Sequence, residues 1–287
     1  MKIFSVILIF LLSGCSINIT PDTFIYQDKK VETHLDLKHI KSKMTHDHAS
    51  FDLSELAIET KAGVVLKGIK LSHKDALINI IFFGGSGMKI SSSFGILDQF
   101  SKLPANVIWF DYRGAGVSEK KGLLKVKDLQ TDSLNVFDYS KINLPENIPT
   151  VIHGISMGSV LASYVATERN IDALILDSSV SSIPKLVENL TPGWSKLFST
   201  VTVSPELAIV DNTQIIKNYS SPLLVLVAKD DSITPVEFSK ELFDASGSSA
   251  KTLAVILNSE HGKPMKKEQT IKAYKKFIAK LNCCKNG

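Results

Sequence analysis

The 287-residue chain is 44% hydrophobic and 22% charged, an ordinary globular composition with enough apolar side chain for one large α/β core. Its formal net charge is only +4, and its Lys and Arg are scattered rather than clustered with aromatics. That distribution argues against a nucleic-acid partner and makes Lys263 to Lys280 the solvated face of a last helix.

Lys2 precedes an apolar run from Ile3 to Leu12 broken only by Ser5. The run is far shorter than the ~20 residues a spanning helix needs, so it reads as the hydrophobic core of a signal peptide, residues 1–14. It ends in Leu12-Ser13-Gly14-Cys15, which resembles the lipobox of bacterial lipoproteins. The resemblance implies cleavage before Cys15, lipidation of its thiol and a stable membrane anchor in the cell envelope. Ser16 after the cysteine implies outer-membrane sorting in a Gram-negative cell. Cys283 and Cys284 are adjacent, and neighbouring cysteines close only a strained ring, so they are no structural staple.

Residues 15–52 are polar without sustained periodicity and are expected to form a flexible tether. They hold His34, His39, His46 and His48; the last two flank Asp47, a weak chelating arrangement at most. The folded domain is expected over 53–282, with a short tail at 283–287. Leu56–Thr60 and Val64–Ile69 flank Lys61-Ala62-Gly63 and predict an opening hairpin. Ala76–Phe83 is almost continuously apolar, as a strand buried on both faces would be. Asn106–Phe110, Thr150–Ile152, Ala173–Leu176, Leu223–Val227 and Thr252–Leu257 repeat that character. Helical stretches fall between them, near Phe94–Leu103, Val126–Tyr139, Ser159–Thr167, Val236–Ala245 and Lys266–Leu281. The alternation predicts an α/β fold, a mostly parallel sheet with helices on both faces. Residues 182–219 lack a clear strand and hold Pro184, Pro192, Gly193, Trp194 and Pro205, so a small lid is expected there.

The third long strand runs into Gly154-Ile155-Ser156-Met157-Gly158 and then a helix. Strand, sharp turn and helix are the context of a nucleophile elbow, with Ser156 projecting beyond the sheet. Serine needs a base, and the base needs an orienting acid. Asp231 and His261 each follow a strand, at the edge where ligands bind in open parallel sheets. His261 is the candidate base and Asp231 the candidate acid, with Asp230 and Asp177 as rivals for the acid. His153, three residues before Ser156, is expected to pack or hydrogen-bond. An oxyanion hole needs two N–H donors. Met157 supplies one candidate, and Ser86, in the loop Gly84-Gly85-Ser86-Gly87-Met88, the other. That loop lacks the Gly-Lys-Ser/Thr of a phosphate cradle.

Together these residues, from about Leu53 to Leu281, resemble the α/β-hydrolase superfamily, and most of all its small bacterial esterases, acylglycerol lipases and serine aminopeptidases. Asp111-Tyr-Arg-Gly-Ala-Gly-Val-Ser118 is similar to a largely structural segment of that family, and the family's acid tends to lie four residues before a proline, as Asp231 lies before Pro235. One departure is Gly84-Gly85, where the family often has His-Gly. The resemblance implies a serine hydrolase acting on a small-molecule or lipid ester, with neither metal nor organic cofactor. An amidase or peptidase using the same triad, or a non-catalytic binder of an envelope partner, are the alternatives. Trp194, Leu197 and Phe198 in the lid hint at an apolar acyl group.

Overall fold

The structure, a computed structural model, describes residues 15–197 and 199–285. Residues 1–14, expected to be a signal peptide, and Phe198 therefore lie outside the described residues.

The chain opens with β1 (Cys15–Ile19), α1 (Pro21–Phe24) and α2 (Leu37–Lys43). A hairpin follows, β2 (Phe51–Glu59) and β3 (Val65–His73), turned at Gly63 with φ 67°. Then come β4 (Ile78–Phe83), α3 (Ile90–Ser93), α4 (Gly95–Phe100), β5 (Ala105–Phe110), α5 (Val126–Asn143) and β6 (Thr150–Ile155). Next are α6 (Met157–Glu168), β7 (Ala173–Asp177), α7 (Ile183–Leu190), β8 (Ser199–Val203), α8 (Pro205–Ala208) and α9 (Asn212–Ile216). The chain closes with β9 (Leu223–Ala228), α10 (Val236–Ala245), β10 (Lys251–Ile256) and α11 (Glu268–Lys285).

Eight strands form the main sheet in the order β10-β9-β7-β6-β4-β5-β3-β2, parallel from β10 to β5 and antiparallel at the β3–β2 end. Every residue of β4, β5, β6, β7 and β9 is buried, which is why those strands read as unbroken apolar runs. One face packs against α4 and α11 through Phe82, Phe100, Trp109 and Tyr274. The other packs against α5, α6 and α10 through Ile81, Phe137, Leu161 and Leu242. Tyr274, Phe277, Ile278 and Leu281 recur at three- and four-residue spacing on α11 and are buried, while Lys272, Lys275, Lys276 and Lys280 are exposed.

Two expectations are corrected. The stretch expected as a flexible tether packs onto the domain. Ile25, Leu35, Ile40 and Met44 are buried, β1 pairs in parallel with β8, and Asp28 accepts from the Gly116 N–H and pairs with Lys89. Its apolar residues are spaced by tertiary contacts rather than by a helix or strand period, so no periodicity betrayed them. The lid does contain a strand, β8, which finds its partner in that same N-terminal stretch. Val180, Ile183, Leu186, Leu207 and Val210 form the lid's own small core, with Ile19 and Phe24 packed against it.

Candidate active site

Ser156 is the residue between β6 and α6, held at φ 53°, ψ −119°. Few non-glycine residues adopt positive φ, and the cost is sustained only where neighbours fix the turn. Here the Ser156 N–H donates to the Asp177 carbonyl at 3.0 Å, and its carbonyl accepts from Ser159 N–H at 2.9 Å and Ser159 Oγ at 2.6 Å. A Cβ on Gly154 would strike the Gly158 carbonyl, and one on Gly158 the Phe83 carbonyl, so both glycines are required by close backbone approach.

His261 lies beyond β10 in a loop containing Asn258 at φ 51° and Gly262 at φ 64°. Its Nε2 is 3.0 Å from Ser156 Oγ. Its Nδ1 is 2.9 Å from Asp231 Oδ2 and 3.1 Å from Oδ1. Asp231, beyond β9, is buried, and it accepts from the Ile233 and Thr234 N–H groups at 2.9 and 2.8 Å. Thr234 Oγ1 lies 2.8 Å from Asp231 Oδ2 and 3.1 Å from His261 Nδ1. Burial alone would raise the Asp231 carboxyl; the His261 and Thr234 hydrogen bonds and the adjacent imidazole outweigh it and hold the group below the usual carboxylate range. The structure thus brings Ser156, His261 and Asp231 into one hydrogen-bonded line.

The rival acids lie elsewhere. Asp230 is exposed, and its N–H donates to the Ser259 carbonyl. The Asp177 carboxylate meets His153 and Ser178. His153 is fully buried, in edge contact with the Phe82 and Phe100 rings.

Met157 is the first residue of α6, so its N–H has no acceptor within the helix and faces the turn beside Ser156. Across the cleft, Gly85 approaches so closely that a Cβ on it would sit 3.4 Å from Ser156 Cβ. Ser86 is exposed at the cleft wall, and its Oγ accepts from the Tyr26 N–H at 2.9 Å. Tyr112 Oη fastens the same loop by donating to the Gly84 carbonyl at 2.7 Å. A cleft of about 400 Å³ opens onto Ser156 and His261, lined by Ser86, Met88, Ile96, Lys263 and Lys266 among others. Trp194 is exposed and does not line it, the Leu197 side chain is not described, and Phe198 lies outside the described residues. Cys15 begins β1, in register with Ser199, and Cys283 is exposed and free. No group of three or more His, Cys, Asp or Glu side chains suited to a metal occurs among the described residues.

Sequence reasoning missed Thr234 and Ser178. Thr234 carried a local signal, because an aspartate followed by a hydroxyl three residues later and then proline is a turn that caps itself. Ser178, at φ 45° after β7, carried none.

The Hydrolase_4 family model, described as "Serine aminopeptidase, S33", matches residues 75–215, a span that holds Ser156 but ends before Asp231 and His261. The lysophosphatidylserine lipase ABHD12 of Macaca fascicularis is 30% identical over 156 residues, 50% of this chain and 38% of that protein. The chain thus spans about two fifths of the length of such relatives. YfhR of Escherichia coli O157:H7, an uncharacterized protein, is 28% identical over 194 residues, 65% of this chain and 64% of its own. Among solved structures, the Pyrococcus furiosus esterase Pf2001 superposes with a TM-score of 0.66 over 92% of this chain and 98% of its own, at 18% identity. The α/β hydrolase GrgF from Penicillium sp. sh18 gives 0.65 over 80% of this chain and 99% of its own, at 14% identity. Those identities speak to fold alone: the chain has the α/β-hydrolase fold.

Proposed function

We propose that the chain is a serine hydrolase that cleaves carboxylic ester or thioester bonds through an acyl-Ser156 intermediate. The observation that carries the reading is the continuous line Asp231–His261–Ser156, with contacts of 2.9 and 3.0 Å. With Nδ1–H donating to Asp231, His261 Nε2 is left as acceptor for the Ser156 hydroxyl. Ser156 Oγ attacks the carbonyl carbon as its proton passes to Nε2, and the imidazolium then gives that proton to the leaving group. Water repeats the sequence on the acyl-enzyme. The Met157 N–H and an N–H of the 84–88 loop, Ser86 first among them, receive the oxyanion.

A lipid ester is the favoured substrate class, since curated relatives are named as lysophosphatidylserine lipases. A second reading, cleavage of amides or peptides by the same residues, draws on the family description. Lipidation of Cys15 would hold the domain at a membrane of the cell envelope, the outer membrane in a Gram-negative cell. The support is the apolar run ending in Leu12-Ser13-Gly14-Cys15. Because β1 begins at Cys15 and pairs with β8, the acyl chains would sit directly against the lid rather than at the end of a tether.

A fluorescent fluorophosphonate should label the parent and fail to label Ser156→Ala. Absence of labelling in folded parent protein would sink the enzyme reading. Chain-length series of acyl esters against matched amides separate the two substrate readings, and Cys15→Ser should release the protein from the membrane fraction.

A further inference from the structure

Asp177 and Ser178, at the end of β7, touch every loop that carries a reacting side chain. The Asp177 carbonyl accepts from the Ser156 N–H at 3.0 Å. The Ser178 carbonyl lies 2.9 Å from Thr234 Oγ1, the hydroxyl that also contacts Asp231 and His261. Ser178 Oγ accepts from the Gly262 N–H at 3.2 Å, one residue beyond His261. Ser178 Oγ also donates to Asp177 Oδ1 at 2.9 Å. The last bond decides the polarity. A hydroxyl has one proton, and giving it to the carboxylate leaves only lone pairs to face Gly262. Asp177 Oδ2 lies 3.8 Å from His153 Nε2, beyond hydrogen-bond distance, and neither atom has a hydrogen-bond partner among the described residues; His153 Nδ1 lies 3.3 Å from Tyr274 Oη on α11. Asp177, Ser178 and His153 are all buried. Ser178 holds φ 45°, a conformation that glycine adopts freely and serine sustains at a cost.

We propose that Ser178 is a positioning residue whose hydroxyl, oriented by the Asp177 carboxylate, sets the histidine loop in register with the elbow and the acid loop. The inference rests on the serine-hydrolase reading. It explains why a serine occupies a backbone position that would suit glycine better: the hydroxyl is needed there.

Two variants separate backbone from hydroxyl. Ser178→Gly keeps the turn and deletes the hydroxyl; Ser178→Thr keeps the hydroxyl and places a β-branched residue at positive φ. With the full chain and p-nitrophenyl butyrate as probe, Ser178→Gly should melt below the parent while remaining folded at the assay temperature, because relief at positive φ is outweighed by leaving Asp177 Oδ1 and the Gly262 N–H without their partner. Its kcat should fall roughly tenfold to hundredfold, the scale of a small misplacement of reacting groups, and its KM should stay within about twofold. Fluorophosphonate labelling should slow in parallel. Ser178→Thr should melt lower yet turn over faster than Ser178→Gly. Parental kcat in Ser178→Gly overturns the proposal, as does a kcat loss that tracks melting temperature across the two variants. If Ser178→Thr does not fold, the glycine variant decides alone. A parent that neither labels nor turns over overturns the hydrolase reading and the positioning role with it; a labelled parent with an unaffected Ser178→Gly overturns the positioning role only.

Discussion

Two carboxyls near the catalytic edge are driven in opposite directions by their surroundings. Asp231 is held low, so the stability its ionised form adds is present above about pH 4 and is lost as pH falls through its folded value. Asp111 goes the other way: burial pushes it up to about 7, against the hydrogen bonds it accepts from the Ile90 and Val117 N–H groups. Between about pH 4 and about 7 the folded chain keeps a proton on Asp111 that the unfolded chain has released. Stability is therefore expected to fall as pH rises through that window, by up to about 1.4 kcal/mol per pH unit. Asp111→Asn should flatten that slope in urea unfolding followed from pH 5 to about 7.5. An unchanged slope would show that Asp111 is ionised throughout. At this scale, Ser156, Asp231 and His261 were legible as candidates because each follows a strand end in the order a hydrolase requires. Ser178 was not legible, since its three partners lie on loops brought together only by the strand order of the sheet.

The segment after β5 shows how one loop organises several elements. Arg113 makes a bidentate pair with Asp132 on α5, Nε to Oδ2 and an Nη to Oδ1, both at 2.6 Å, with both side chains buried. Gly114 and Gly116 turn the backbone at φ 76° and 54°, and a Cβ on Gly116 would collide with Asp111 Oδ2. Ser118 Oγ donates to the Asp111 carbonyl at 2.7 Å. None of these side chains reaches Ser156, in keeping with a structural segment that fixes β5 to α5. Arg113→Ala leaves the Asp132 carboxylate buried and unpaired, a change expected to cost about 3–5 kcal/mol. Denaturant midpoints should register that loss, while fluorophosphonate labelling per folded molecule should stay near parental. A variant as stable as the parent would mean the pair is solvated. The strands of this region were readable because full burial demands unbroken apolar runs. The pairing of Arg113 with Asp132 was hidden, since 19 residues separate partners that meet only after packing.

Across the whole molecule, the N-terminal stretch is part of the domain. It contributes β1 to the lid's two-stranded sheet, buries Ile25, Leu35, Ile40 and Met44, and fastens the 84–88 loop through Tyr26. A chain beginning at Ser50 should therefore lose several kcal/mol, given about 1.5–3 kcal/mol for each fully buried apolar side chain. Its melting temperature should drop, where removal of a true tether would leave it unchanged. Alternating strands and helices made the sheet and its cover visible in advance, because local periodicity reports burial. Contacts between segments some 185 residues apart, such as β1 with β8, have no local signature.

The central claim is that Ser156 becomes acylated during turnover. Acid quenching of the chain while it hydrolyses p-nitrophenyl butyrate, followed by mass analysis of its peptides, addresses it directly. A butyryl adduct on the peptide carrying Ser156, absent in Ser156→Ala, is the expected result. Hydrolysis that persists in Ser156→Ala, with no adduct on the parent at any time, would contradict it.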